Sequence, residues 1–283
     1  MSARKHFEGR RLVIATMHGK EQVIAPSLTQ ALGVEVVVAH ELNTDQFGTF
    51  SGEVERESDP LETARRKCRT AMALHHCTLA IASEGSFGPH PYLFFVPADD
   101  ELLVLLDAEN GWEFKARELT TQTNFAGASL QAWHDAEQFA RNVLFPSHGL
   151  IVRKEAGNVA DMVKGVSDWD TLKKLVEKYI EAYGRVFLET DMRAMMNPSR
   201  MSVIETATKK LLAAIERLCP QCRTPGFDVA QVIEGLPCSQ CGAPTRSVLA
   251  LEYECQHCHY KEQKQHPGGK HQEDPMYCDW CNP

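Results

Sequence analysis

At 283 residues the chain is long enough for about two domains. A hydrophobic share of 43% supports a packed core, and no apolar run approaches the roughly 20 residues of a membrane span. A net charge of -8 argues against a broad nucleic-acid surface, which draws its affinity from an excess of cations.

Arg11-Leu-Val-Ile-Ala15 reads as a buried strand. It breaks at Thr16-Met-His-Gly-Lys20, and a helix follows with Val23, Ile24, Leu28, Ala31 and Leu32 on one face, Pro26 inside it and Gly33 as its stop. Val34–Ala39 is the next strand, which makes a strand–helix–strand unit. Asn43–Ser58 is polar and reads as a loop. Asp59-Pro60 then opens a helix striped with Leu61, Ala64, Cys68, Ala71 and Met72.

Thr78–Ala82 reads as a strand that runs into a polar loop, Ser83-Glu-Gly-Ser-Phe-Gly88. Two strands of a hairpin, Tyr92–Val96 and Leu102–Leu106, are expected next, with a turn at Glu109-Asn-Gly111. Further elements are a helix over 127–142, a strand Gly149–Arg153, a helix over 170–183 and a strand Arg185–Leu188. A long helix is expected to start at Ser202, where Ser202-x-x-Glu205 has the form of a capping box. The fold class is therefore α/β, a mixed twisted sheet flanked by helices, with a small β-rich C-terminal domain. The expected boundaries are 1–200 for the α/β domain, 201–218 for a connecting helix and 219–283 for the C-terminal module.

That module carries the strongest chemical signal. Cys219/Cys222, Cys238/Cys241, Cys255/Cys258 and Cys278/Cys281 are four Cys-x-x-Cys pairs. Each short pair can present two sulfurs to one ion, so eight thiolates predict two tetrahedral structural Zn2+ sites in a double zinc ribbon. Val248–Tyr253 between Cys241 and Cys255 suggests a hairpin flanked by Cys238/Cys241 and Cys255/Cys258, leaving Cys219/Cys222 for Cys278/Cys281. Strictly sequential pairing satisfies the ligand count equally. Disulfides would need an oxidising compartment, whereas this cysteine usage and the lack of an apolar leader suit the cytoplasm. From Cys219 onward five Lys/Arg face eight Asp/Glu, so the module suits a protein partner better than nucleic acid.

Three polar segments of the first half are candidates for a site, since ligands of α/β sheets gather at the carboxyl ends of strands. They are Thr16 to Lys20, the Glu62–Arg69 stretch with Glu62 and Lys67, and Glu84. Glu62 and Arg66 read equally well as a solvated i,i+4 pair. In chain order, these segments resemble the inosine/xanthosine triphosphate pyrophosphatase superfamily over residues 10 to 155. The resemblance rests on Thr16 and Lys20 after the first strand, on Glu62-Thr-Ala-Arg-Arg-Lys67-Cys-Arg, on Ala80-Ile-Ala-Ser-Glu84-Gly-Ser-Phe, and on the hairpin meander that follows. It implies a nucleoside triphosphate bound through Thr16, Lys20 and Lys67, with Mg2+ held by Glu62 and Glu84. Glu84 would also activate water, giving a nucleoside monophosphate and pyrophosphate. Ser147-His148-Gly149 is similar to part of the superfamily's base-recognition motif, with Arg153 as a substitute for its arginine. The opening loop is one residue shorter than the superfamily's, and the paired acids of its third motif are reduced to Glu84. A non-catalytic, nucleotide-sensing adaptor is the alternative reading. The whole chain also resembles bacterial proteins of unknown function. A last polar segment, Asp191–Arg200, fits either a phosphate clamp or a packed hinge with a structural Arg–Asp pair.

Overall fold

The computed structural model describes residues 2–42 and 59–283, so the loop expected at Asn43–Ser58 lies outside the described residues. The chain divides into two compact units, Phe7–Leu212 and a second formed by Met1–His6 with Ala213–Pro283.

The described residues of the larger unit form two sheets. The first has strand order β2-β1-β3-β4-β5, built from β1 (Arg11–Ala15), β2 (Glu35–Val38), β3 (Leu79–Pro89), β4 (Pro97–Asp107) and β5 (Trp112–Thr120). β1 is parallel to both β2 and β3, whereas β4 runs antiparallel to β3 and β5. The strand–helix–strand unit forms as expected around α1 (Glu21–Leu32), and Gly33 ends that helix at φ 68, a left-handed value that glycine adopts without strain. α2 (Pro60–His75) starts at Asp59, whose carboxylate accepts from the Leu61 and Glu62 amides at 2.9 and 3.2 Å. Its small residues Ala64, Cys68 and Ala71 pack on Val13, Ala80, Ala82 and Val104 of the sheet.

The remaining strands do not extend this sheet. β6 (Gly127–Leu130), β7 (Leu150–Arg153), β8 (Met162–Val166) and β9 (Val186–Thr190) form a separate antiparallel sheet in the order β6-β9-β7-β8. Val143, Phe145, Leu150, Val152, Val186 and Leu188 form its core with α3 (Trp133–Asn142) and α4 (Trp169–Tyr183). The stretch expected as one helix over 127–142 is thus strand β6 followed by α3.

Three other expectations change. β3 does not stop at Ala82; β4 pairs with it along its whole length to Pro89, so Ser83–Gly88 is strand. The run Tyr92–Val96 is not a strand. It is the turn of the β3–β4 hairpin, and its Tyr92, Phe94 and Phe95 are 82%, 78% and 80% exposed. α5 (Pro198–Glu216) begins one turn before Ser202, whose hydroxyl donates to the Pro198 carbonyl at 3.3 Å, so Ser202 caps nothing. The division between units falls inside α5, between Leu212 and Ala213.

In the smaller unit, β10 (Asp228–Glu234), β11 (Val248–Glu254) and β12 (Lys261–Gln265) form an antiparallel sheet in that order. Among the described residues no helix is long and apolar enough to cross a membrane.

Candidate functional site

The cysteines fall into two groups, Cys219, Cys222, Cys255, Cys258 and Cys238, Cys241, Cys278, Cys281, each with all four sulfurs within 4.8 Å of one another. Neither the hairpin pairing nor the sequential one is adopted. The antiparallel sheet explains why. The start of β10 pairs with the end of β11, Asp228 opposite Glu254, so Cys219/Cys222 before β10 lie at the same sheet end as Cys255/Cys258 after β11. Cys238/Cys241 follow β10 at the opposite end, where β12 also finishes, and there they meet Cys278/Cys281.

Sulfur separations are 3.7 Å (Cys219–Cys258) and 3.6 Å (Cys222–Cys255) in one group, and 3.9 Å (Cys238–Cys281) and 3.6 Å (Cys241–Cys278) in the other. A tetrahedron with Zn–S bonds of about 2.3 Å has edges of about 3.8 Å, so both groups could hold zinc. Amides within the knuckles point at sulfur: Cys222 and Cys258 donate to Cys219 and Cys255 at 3.5 Å, and Gln240 to Cys238 at 3.4 Å. Such donors stabilise thiolate. Phe227, flanked by Tyr253 and Tyr260, packs beside the first group.

The second candidate site lies in the larger unit, where β1 ends and β3 continues. Ala15, the last residue of β1, is opposite Ala82, so Ser83 and Glu84 are the first β3 residues beyond the end of β1. Successive strand residues face opposite sides of a sheet. Glu84 therefore shares the α2 side with Ala82, and Lys67 of α2 reaches its Oε1 at 2.6 Å, both groups being buried. Ser83, Gly85 and Phe87 face the other side with Glu101 and Asp99, which stand opposite Gly85 and Phe87 in the ladder. There Lys20 Nζ donates to Ser83 Oγ at 2.9 Å, and Arg200 Nε to Glu101 Oε1 at 2.6 Å. The Arg200 guanidinium also donates to the Met192 carbonyl and lies 5.0 Å from the centre of the Phe87 ring.

Gly85 is required by this packing. A Cβ on it would stand 2.5 Å from both Arg200 Nη2 and Glu101 Oε1. A glycine inside a strand often marks such a close approach, which is why reading Ser83–Gly88 as a loop failed.

The charges act on one another. Burial, helped by Arg200 and opposed by Glu101 and Glu84, pulls Lys20 down to about 8. Burial and the adjacent Glu101 push Asp99 up to about 7 against the pull of Arg200 and Lys20. Thr16 Oγ1, Asp99 Oδ1 and Glu101 Oε2 are buried without a hydrogen-bond partner among the described residues. A cleft of about 310 Å3 opens on the α2 side, lined by Glu84, Ser86, Asp100, Lys115, Arg117 and the first residues of α2.

Of the residues singled out from sequence, Lys20, Lys67 and Glu84 come together here, with Thr16 at the end of β1. Glu62 does not join them. It is half-exposed and held by Arg69 at 2.9 Å and Arg65 at 3.5 Å, not by Arg66 as an i,i+4 pair. Arg153 is buried on β7 of the second sheet, where it pairs with Glu189. Among the described residues the two cysteine groups are the only sets of three or more ligand side chains that converge. Neither Glu62 nor Glu84 belongs to such a set. Asp99 and Glu101, between the two expected hairpin strands, were not singled out from sequence, and Arg200 ends the segment expected as either a phosphate clamp or a hinge. Only Arg193, held by the buried Asp191 at 2.6 Å, answers to the structural pair expected in that segment. His148 caps α5. Its Nε2 accepts from the Ser199 amide at 3.2 Å, with Ser199 Oγ at 2.9 Å.

A family described as "Domain of unknown function (DUF6671)" matches residues 67–283, a span that takes in Lys67, Glu84, Arg200 and all eight knuckle cysteines. The chain belongs to this DUF6671 family. No curated protein matches the chain. Among solved structures, "Crystal structure of protein VC0702 from Vibrio cholerae" is similar at 10% identity with a TM-score of 0.33, over 72% of this chain and 94% of that one. That likeness is too slight to place the fold. Neither match names a pyrophosphatase, and the DUF6671 span starts after Thr16, Lys20 and Glu62.

Proposed function

We propose that the Phe7–Leu212 unit binds a nucleoside triphosphate and hydrolyses it to the monophosphate and pyrophosphate, while the smaller unit is held by two structural zinc ions. One observation carries the first part: where β1 ends beside β3, Lys67 is buried with Glu84 on one side of the sheet, and Lys20 and Arg200 are buried with Glu101 and Asp99 on the other. Burying so much charge is costly, and such clusters are kept where chemistry uses them. In this reading Lys20 and Lys67 neutralise phosphate oxygens. Glu84, on the cleft wall, orients the water that attacks the α-phosphorus, and pyrophosphate leaves as the bridging P–O bond breaks. Among the described residues no three carboxylates converge as a cage for Mg2+, so in this reading the ion arrives on the triphosphate, as Mg2+ commonly does. The cleft, with Asp59, Glu84 and Asp100 on its wall, suits a metal-complexed phosphate better than a bare one.

A second reading is binding without turnover. The 2.6 Å Lys67–Glu84 pair favours it, because the ammonium occupies the carboxylate oxygen that would otherwise face water. Pyrophosphate release from a panel of ordinary and deaminated nucleoside triphosphates separates the two. Release abolished by Glu84→Gln supports hydrolysis, whereas binding without release leaves a sensor.

A further inference from the structure

The polar face opposite Glu84 has a property that phosphate binding alone does not explain. Asp99 and Glu101 are two residues apart on β4, so their carboxyl groups share one side of the sheet. They are 1% and 0% exposed. Glu101 is matched by Arg200, but among the described residues Asp99 Oδ1 meets no hydrogen-bond donor. An ionised carboxylate left so, beside a second carboxylate, is expensive, and the cheapest relief is a proton. The charges then count simply. On this face Lys20 and Arg200 stand against Glu101 with one positive charge in excess when Asp99 is neutral, and none when it is ionised; the Lys67–Glu84 pair on the other side is balanced.

We propose that Asp99 is the proton-holding residue of this site, so that an anionic phosphate ligand binds with uptake of a proton onto the Asp99 carboxyl. This rests on the phosphate-binding reading above and assigns Asp99 a positioning role through charge, not contact with the ligand. An added anion repels an ionised Asp99 and favours its protonated form; by linkage, binding weakens as pH rises and Asp99 ionises. The position of the Asp99 titration, about 7, puts this effect in the neutral range. Other charged groups bear on the same site. Asp100 raises Asp99, Arg200 and Lys20 lower it, and Lys20 itself titrates at about 8 with Glu84, Glu101 and Lys67 acting on it. Loss of the Lys20 charge also weakens anion binding, but at higher pH, and Lys20→Arg removes that component while leaving Asp99 in place.

The test is the affinity of the zinc-loaded full chain for inorganic pyrophosphate, with Mg2+ present, between pH 6 and 8. Wild type, Asp99→Asn and Lys20→Arg are compared. Pyrophosphate's own titration is common to all three and cancels in the ratios. The expected result is that wild-type affinity falls by about fivefold more than that of Asp99→Asn, which is what a coupling of about one pKa unit around 7 gives over this range. Lys20→Arg should keep the excess fall. An Asp99→Asn profile that parallels wild type overturns the inference and leaves the binding reading standing. No pyrophosphate binding at any pH overturns the binding reading and this inference together. Should Asp99→Asn not fold, difference infrared spectra of wild type at pH 8 decide. A protonated-carboxyl band that appears on adding pyrophosphate is the expected result, and its absence contradicts proton uptake.

Discussion

Gly85 shows how one residue sets the geometry of the polar cluster. Its missing side chain admits the Arg200–Glu101 pair, so Gly85→Ala must push that pair apart. We expect it to cost about 1–3 kcal/mol, the usual range for overpacking, measured by chemical unfolding against a neutral swap on an exposed strand. Glu101→Gln should cost more, about 3–5 kcal/mol, because it breaks a fully buried ion pair from one side. The pH dependence of stability follows from the same residues. Folding holds the Asp99 proton up to about 7, against 3.8 ordinarily, so the folded state binds more protons across that window and stability falls as pH rises through it. Lys20 acts oppositely at higher pH. The unfolded chain holds its proton up to 10.5, the folded one only to about 8, so stability rises with pH between those values. Unfolding free energies measured from pH 4 to 10 should show the acid-side decline in wild type and lose it in Asp99→Asn.

At the scale of elements, the cysteine pairing is the sharpest case of what sequence shows and withholds. Four Cys-x-x-Cys pairs announce two four-sulfur sites, because the spacing alone makes knuckles. Which knuckles meet depends on strand pairing that no spacing reveals, and β10 was not read as a strand at all. Both sites clamp the same three-stranded sheet from opposite ends. The pairing is testable by counting zinc. Cys219→Ser with Cys255→Ser removes ligands from one site and should cost one zinc per chain. Cys219→Ser with Cys238→Ser touches both sites and should cost two. The hairpin pairing predicts two for the first double variant, and the sequential pairing predicts one for the second. Chelation of both ions should unfold this unit, read as loss of far-ultraviolet β signal, since such sites and their folds form together.

The larger unit was legible where local patterns suffice and opaque where partners decide. The strand–helix–strand start, the Asp59 cap and the helix α4 follow from apolar periodicity and capping residues. The run from Ser83 to Gly88 reads as loop because serine and glycine weaken strand propensity, yet the 11-residue partner β4 holds it in register. The converse failure is Tyr92–Val96, apolar enough for a strand but placed at the hairpin turn. Lys20, Lys67 and Glu84 were legible because they follow strands or lie on a capped helix. Glu101, Asp99 and Arg200 were not, because a sheet register and a helix about 100 residues away bring them together.

For the molecule as a whole, the proposed function makes these buried charges a site of phosphate chemistry. The most direct measurement is pyrophosphate release by the zinc-replete full chain, with Mg2+ and a panel of nucleoside triphosphates, for wild type and Glu84→Gln. Release is expected from at least one triphosphate and should fall by about 100-fold or more in the variant, the scale of losing a general base. Release that survives the substitution, or none from any triphosphate, would contradict the proposed function.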